Sequence, residues 1–191
     1  TSAHMPQILE DLAKRDNWND VVLMLPGLAY RRDVTDRTHL GVLHQLDMWR
    51  VIRNSSIKTQ IVKDDLLKIV EGIASVAAPG WKLRIVDNPH PYTKKGIEVN
   101  AVKDGRDIEI LECGLISDQL LQNSGLNPAE YSGWALGMGL DRLVMTLKAV
   151  PDIRYLRSVN PDIAKQMVDL SLYKEVSLQP SIKRDMSYSV P

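Results

Sequence analysis

Two apolar runs on either side of a short charged stretch constrain this chain most. Residues 21–25 (Val21-Val22-Leu23-Met24-Leu25) lie between Asp20 and Pro26-Gly27 and read as a buried strand, which residues 28–32 continue. Residues 33–39 are polar and charged and suit a loop, and residues 42–52 return as a strand. Such a strand, loop and strand predict an antiparallel hairpin. A second hairpin is predicted where residues 97–102 and 108–111 flank Lys103-Asp104-Gly105-Arg106. Residues 82–86 alternate as a further strand. Residues 131–136 read as another, entering a helix over residues 138–149 with Leu140, Leu143, Val144 and Leu147 on one face and Pro151 beyond its end. Helices are predicted over residues 6–14, 64–77 and 117–123; in the second, Leu66, Ile69, Val70 and Ile73 recur at helical spacing. Strands dominate the middle and helices flank them, so the expected class is α+β with an antiparallel sheet.

The 191 residues suffice for one substantial core, and 44% hydrophobic with 25% charged residues is ordinary for a globular domain. The formal net charge of +0 excludes a whole-chain attraction to nucleic acid, so any RNA contact must come from local clusters. Arg50, Arg53, Lys58 and Lys63 are candidates for such contacts and equally for a solvated charged face. One cysteine, Cys113, excludes an internal disulfide framework and fits a reducing compartment, cytoplasmic or organellar matrix. No apolar run approaches the roughly 20 residues of a membrane span, so no membrane partner is expected. Phenylalanine is absent, which leaves Tyr, Trp, Leu and Met to fill aromatic sites.

Two segments concentrate residues suited to chemistry. The first runs Tyr30-Arg31-Arg32-Asp33, then Asp36, His39 and Leu43-His44-Gln45-Leu46-Asp47. The second is Gly133-Trp134-Ala135-Leu136-Gly137-Met138-Gly139-Leu140-Asp141-Arg142-Leu143. Each fixes an arginine by backbone geometry, Arg31 near a strand end and Arg142 on a glycine-opened helix. Arginine's planar fork binds two phosphate oxygens at once, so the pair suits a nucleotide's phosphates.

Together these segments resemble motifs 2 and 3 of a class II aminoacyl-tRNA synthetase. Residues 27–39 resemble motif 2 of phenylalanyl-tRNA synthetase of the catalytic (α) type. The resemblance continues from Glu109 through Cys113-Gly114-Leu115 to Asn127-Pro128-Ala129-Glu130-Tyr131-Ser132-Gly133. It resumes at Gly139-Leu140-Asp141-Arg142-Leu143 and Val150-Pro151-Asp152-Ile153-Arg154. Thr1-Ser2 resembles the tail of that family's His-Thr-Ser substrate motif. The match covers most of residues 1–167. It implies a class II catalytic core over residues 1–175 with motif 1 missing, in a chain that is a fragment or has parts omitted. Residues 176–191 resemble a linker and the first strand of a ferredoxin-like anticodon-binding domain, the order of the single-chain organellar form.

The resemblance implies an activity and a set of roles. The activity is ATP-dependent activation of an amino acid, phenylalanine by family, and its transfer to tRNA. Arg31 would hold the α-phosphate and substrate carboxylate, Asp33 would contact adenine, and His39 would reach the outer phosphates. Arg142 would lie over adenine near the γ-phosphate, Leu43 would pack on the base, and Gly137 and Gly139 would leave room for the nucleotide. Gln45 and Asp47 would bind the amino group, because an ammonium offers only donors and its site needs acceptors. Ser2, His90, Tyr92, Gly133 and Ala135 would line the amino-acid site. Glu109 is the expected Mg2+ ligand, since that ion prefers hard oxygen donors. The chain departs from the pattern at several points. The family's Phe-Pro-Phe wedge is His90-Pro91-Tyr92, a glycine is replaced by Glu112, the stacking phenylalanine by Leu43, and a glutamate by Lys94. Partners implied are tRNA, the amino acid, and a second copy or second synthetase subunit. Two other readings stay open: a paralogue that activates a different amino acid or loads a different acceptor, and a non-catalytic class II-like module.

Overall fold

The computed structural model describes residues 2–32, 34–53, 59–177, 179 and 182–188. Its frame is a six-stranded antiparallel sheet in the order β1-β2-β6-β5-β4-β3. The strands are β1 (Asp20–Tyr30), β2 (Val42–Arg53), β3 (Lys82–Asp87), β4 (Thr93–Lys103), β5 (Arg106–Ile116) and β6 (Tyr131–Gly139). The first predicted hairpin forms, in register from Asp20↔Ile52 to Tyr30↔Val42. The second turns at Asp104 and Gly105, whose φ values of 50° and 72° suit the tight turn that matches strand twist.

The run at residues 21–25 is not buried on both faces. β1 is an edge strand whose residues alternate between exposed and half-buried along its whole length. Val21, Leu23 and Leu25 pack inward, whereas Val22 and Met24 face solvent. Nor does Pro26 interrupt the strand: it pairs with Leu46, which is compatible with an edge position where a missing N–H donor costs no ladder bond.

Alternation divides the rest of the sheet into two faces. Met48, Trp134, Leu136, Met138, Leu111, Cys113 and Leu115 lie on one. There they pack beneath α2 (Thr59–Ala77) and α4 (Leu140–Leu147) through Leu66, Val70, Ala74 and Leu143. Trp49, Val51, Ala135 and Ile116 lie on the other, beneath α1 (Met5–Ala13) and α3 (Asp118–Asn123) through Met5, Leu9, Leu12 and Leu121. The Ser117 hydroxyl caps α3 by accepting from the Leu120 N–H at 3.2 Å. The cover given by α1 and α3 does not reach the far end of its face. There the same alternating positions carry Leu43, Gln45, Gly137, Gly139 and Glu112, which leaves an open polar trough.

α4 starts at Leu140, two residues later than expected, because β6 runs on to Gly139. It buries more than one face: Leu143 joins the core under α2, while Met145 packs with Ile108, Val150 and Ile153. Lys148, just past its end, is 1% exposed and donates from Nζ to the carbonyls of Asp169 at 2.8 Å and Ser171 at 2.6 Å. Those bonds tie the segment after α5 (Pro161–Ala164) to the body. The described residues 182–188, where a strand is expected, carry no regular secondary structure, and Leu178 and Pro180 lie outside the described residues.

Candidate active site

The trough is the floor of an open cleft. Arg31 enters from the end of β1, and Thr38, His39 and Leu40 from the loop that joins β1 to β2. β2 contributes Leu43 and Gln45, β5 Glu109 and Glu112, β6 Gly137, Met138 and Gly139, and α4 Asp141 and Arg142; Tyr92 and Ile153 complete the wall. Two arginines 111 positions apart in sequence thus share one cavity because β1, β2 and β6 are neighbours in the sheet.

The loop is braced by one carboxylate. Asp36 accepts from the backbone N–H of Thr38 at 2.7 Å and of His39 at 2.9 Å, and its oxygens lie 2.9 Å and 3.0 Å from His39 Nδ1. The Thr38 N–H, then His39, hold the Asp36 carboxyl well below the usual carboxylate range. Arg142 closes the loop against α4: its Nε donates to the Thr38 carbonyl at 3.2 Å and a terminal nitrogen to Glu109 at 2.8 Å. Its side chain is only 16% exposed, so few rotamers remain to be lost when it meets a ligand. Asp141 is buried and accepts from the His44 N–H at 2.5 Å, which pins the start of β2 to α4.

Beyond the arginines the cleft turns acidic. Asp47, Gly137 and Glu112 are direct neighbours across β2, β6 and β5. A side chain at Gly137 would put its Cβ 3.2 Å from Asp47 Oδ1, so glycine there keeps the Asp47 carboxylate clear. Glu98, Glu109 and Glu112 each offer an oxygen within 4.8 Å of the others. Burial pushes the Glu112 carboxyl up, opposed by His90 and assisted by Glu109 and Glu98. Burial, with the Glu112 and Asp47 carboxylates nearby, also pushes the Tyr92 phenol up. Tyr92 stands between two rings, stacked on His90 at 5.5 Å and tilted against Trp49 at 5.9 Å.

The cleft gathers Arg31, His39, Leu43, Gln45, Tyr92, Glu109, Gly137, Gly139 and Arg142 from the expected site residues. The others stand elsewhere. Ser2 is exposed in a short 3-10 turn before α1, and Asp33 lies outside the described residues. Asp47 is 3% exposed, on the same sheet face as Gln45 and beside Gly137. His90 sits behind Tyr92, and Ala135 is buried with Trp49 in the core beneath α1. Gly133 meets the backbone: a Cβ there would fall 2.0 Å from the Arg50 carbonyl, so its glycine serves strand packing. Asp36, Thr38 and Asp141 lie within the segments that the sequence singles out but carried no expected role, and Glu98 was not singled out at all. For Asp36 a signal existed, since Asp followed by Thr and His at the second and third positions suits a side-chain-capped turn. Asp141 stands in a singled-out segment but its contact with His44 exists only across the fold, and Glu98 had no signal.

Comparison with known proteins bears on this geometry. The family model described as "tRNA synthetases class II core domain (F)" matches residues 1–167. The chain is 32% identical over 197 residues to the phenylalanine–tRNA ligase, chloroplastic/mitochondrial, of Arabidopsis thaliana, covering 98% of this chain and 44% of that protein. It is 34% identical to the phenylalanine–tRNA ligase alpha subunit of Actinobacillus succinogenes, over 69% of this chain and 39% of the relative. With the mitochondrial phenylalanine–tRNA ligase of Dictyostelium discoideum the identity is 31%, over 81% and 37%. The chain therefore spans less than half the length of these relatives. Among solved structures, PylSc of Desulfitobacterium hafniense, a pyrrolysyl tRNA synthetase, superposes with a TM-score of 0.58 at 15% identity, over 80% of this chain and 49% of that one. That likeness concerns the fold.

Proposed function

The chain belongs to the class II tRNA synthetase core-domain family, and on that premise we propose that its cleft activates an amino acid with ATP for transfer to tRNA, with phenylalanine as the amino acid. The observation that carries the reading is the meeting of Arg31 and Arg142 in one cleft, with glycines beneath and carboxylates beyond. In the first step the amino-acid carboxylate oxygen attacks the α-phosphorus, the bond to the β-phosphate breaks, and pyrophosphate leaves. No side chain has to take a proton, because the carboxylate is already ionised. What lowers the barrier is alignment and positive charge where phosphate charge develops. Arg31 is proposed to bridge carboxylate and α-phosphate. Arg142, clamped by Thr38 and Glu109, faces the base and outer phosphates, and His39, braced by Asp36, reaches the outer phosphates. Gln45 and Asp47 supply acceptors for the ammonium. Leu43 beside Gly139 leaves an apolar face for the base, and Asp33 is proposed to contact adenine.

Glu109 offers a hard carboxylate oxygen that fits Mg2+ and is the proposed ligand, with Glu98 close beside it. The ion would neutralise phosphate charge when bound. Transfer to the terminal ribose of tRNA would follow, in the cytoplasm or an organellar matrix. Among the described residues no helix is long and apolar enough to cross a membrane. A second copy of the chain or a second synthetase subunit is the proposed protein partner. Residues 176–191 are proposed to lead into an anticodon-binding unit; the exposed apolar Ile182, Met186 and Tyr188, which share one strand parity, support this.

The test is exchange of labelled pyrophosphate into ATP in the presence of phenylalanine. Exchange is expected, and Arg142→Ala should lower it by about 10²–10³-fold, as removal of one transition-state donor does. Loss of less than about threefold, with the fold intact, would remove Arg142 from the chemistry.

A further inference from the structure

Two departures from the family pattern meet in space. His90 stands where the wedge has phenylalanine and Glu112 where the strand has glycine, and the fold brings His90 Nε2 to 3.4 Å from the Glu112 carboxylate. We propose that this pair forms a hydrogen-bonding pole at the amino-acid end of the cleft, and that the site accepts an aromatic amino acid bearing a ring hydroxyl as readily as one with a bare phenyl ring. The inference rests on the activation reading and names its substrate class.

The geometry supports it in three ways. First, the pole is within reach of the substrate. Asp47 and Glu112 flank Gly137 on adjacent strands, so they stand roughly two strand spacings, about 10 Å, apart. An amino acid held at Gln45 and Asp47 therefore projects toward Glu112, which lines the cleft directly. Second, the pole has unspent hydrogen-bonding capacity. His90 Nε2 is buried and has no hydrogen-bond partner among the described residues, standing 3.4 Å from a Glu112 carboxylate oxygen. Glu112 receives one bond from the Asn88 amide at 3.1 Å on Oε1, and its other oxygen is the one facing His90. The Glu112 carboxylate lines the cleft, and a ring hydroxyl can donate to it where a phenyl ring offers no donor. Third, the aromatic wall is kept. Tyr92, flanked by His90 and Trp49, lines the cleft and keeps aromatic surface there. A pocket without a polar partner penalises an added hydroxyl through desolvation; here that penalty is met by a carboxylate already in place.

Pyrophosphate exchange with phenylalanine and with tyrosine, in the wild type and in the variant His90→Phe/Glu112→Gly, decides the matter. The expected result is a wild-type kcat/KM for tyrosine within about tenfold of that for phenylalanine, and a preference for phenylalanine that rises by at least about tenfold in the variant. Glu112→Gln, which keeps the shape and hydrogen bonding but removes the charge, provides the comparison if the double variant does not fold; it should retain tyrosine exchange. Exchange with phenylalanine but a preference of more than about 10³ over tyrosine in the wild type overturns the inference and leaves the activation reading standing. Exchange with neither amino acid, in folded protein that binds ATP, overturns the activation reading and this inference together.

Discussion

Arg142 reaches from its own helix to two other elements. Its guanidinium joins the Thr38 carbonyl from the loop to Glu109 from β5, so one side chain locks three elements around the cleft. Glycines show the same division between chemistry and packing. Gly133→Ala is expected to unfold or strongly destabilise the protein, because its Cβ would fall 2.0 Å from the rigid Arg50 carbonyl. Gly137→Ala meets a side-chain carboxylate at 3.2 Å, which can shift by a few tenths of an ångström. Its melting temperature should stay near the wild type while amino-acid binding weakens; calorimetry on both variants separates the two effects. A Gly133→Ala protein that melts like the wild type would refute the packing role. Both glycines were visible in sequence as part of one motif, but which of them serves packing depends on the strand that lies opposite.

α3 is a short helix with one strong reason to start where it does. Ser117 supplies the cap, and Leu121 and Leu126 beyond it are buried under α1. Ser117→Ala should cost about 1 kcal/mol in chemical denaturation, with no change in slope, as loss of one helix cap does. No loss would mean that burial of Leu121 alone holds the helix. Alternation and helical spacing made most elements legible, because they report which side chains share a face. β1 was misjudged for the same reason: an apolar run is compatible with burial on two faces, and only its place at the sheet edge leaves Val22 and Met24 in solvent. α4 was expected to bury one stripe, yet the 150–153 segment folds back and covers Met145 as well.

At the scale of the whole molecule, ionisation and burial set stability together. Asp20 is held below the usual carboxylate range chiefly by its hydrogen bond to Arg50, and Asp152 chiefly by its bond to Arg154. Their contributions are present above the unfolded carboxylate pKa of about 3.9 and disappear as pH falls through the lowered native values. Glu112 has the opposite sign: burial raises it, so the stability linked to it is present at acid pH and is lost as pH rises through its native value. Denaturation midpoints should therefore drop below about pH 4, and Asp152→Asn should flatten that drop. A variant with the wild-type acid profile would assign the effect to other groups. Cys113 offers a second global readout. Its thiol is 2% exposed and pushed up to about 12 by burial, so a thiol reagent at neutral pH should react only at the rate of opening. Fast labelling of native protein would contradict its place in the core. By itself the sequence determined the antiparallel class, the two hairpins and the arginines worth watching, since periodicity, turn chemistry and motif spacing are local properties. Only the tertiary structure decided that Arg31 and Arg142 share a cleft, that Glu98, Glu109 and Glu112 converge, and that His90 faces Glu112. Those relations follow from strand order and from where α1 and α3 stop covering the sheet, and neither is written in any one segment of the chain.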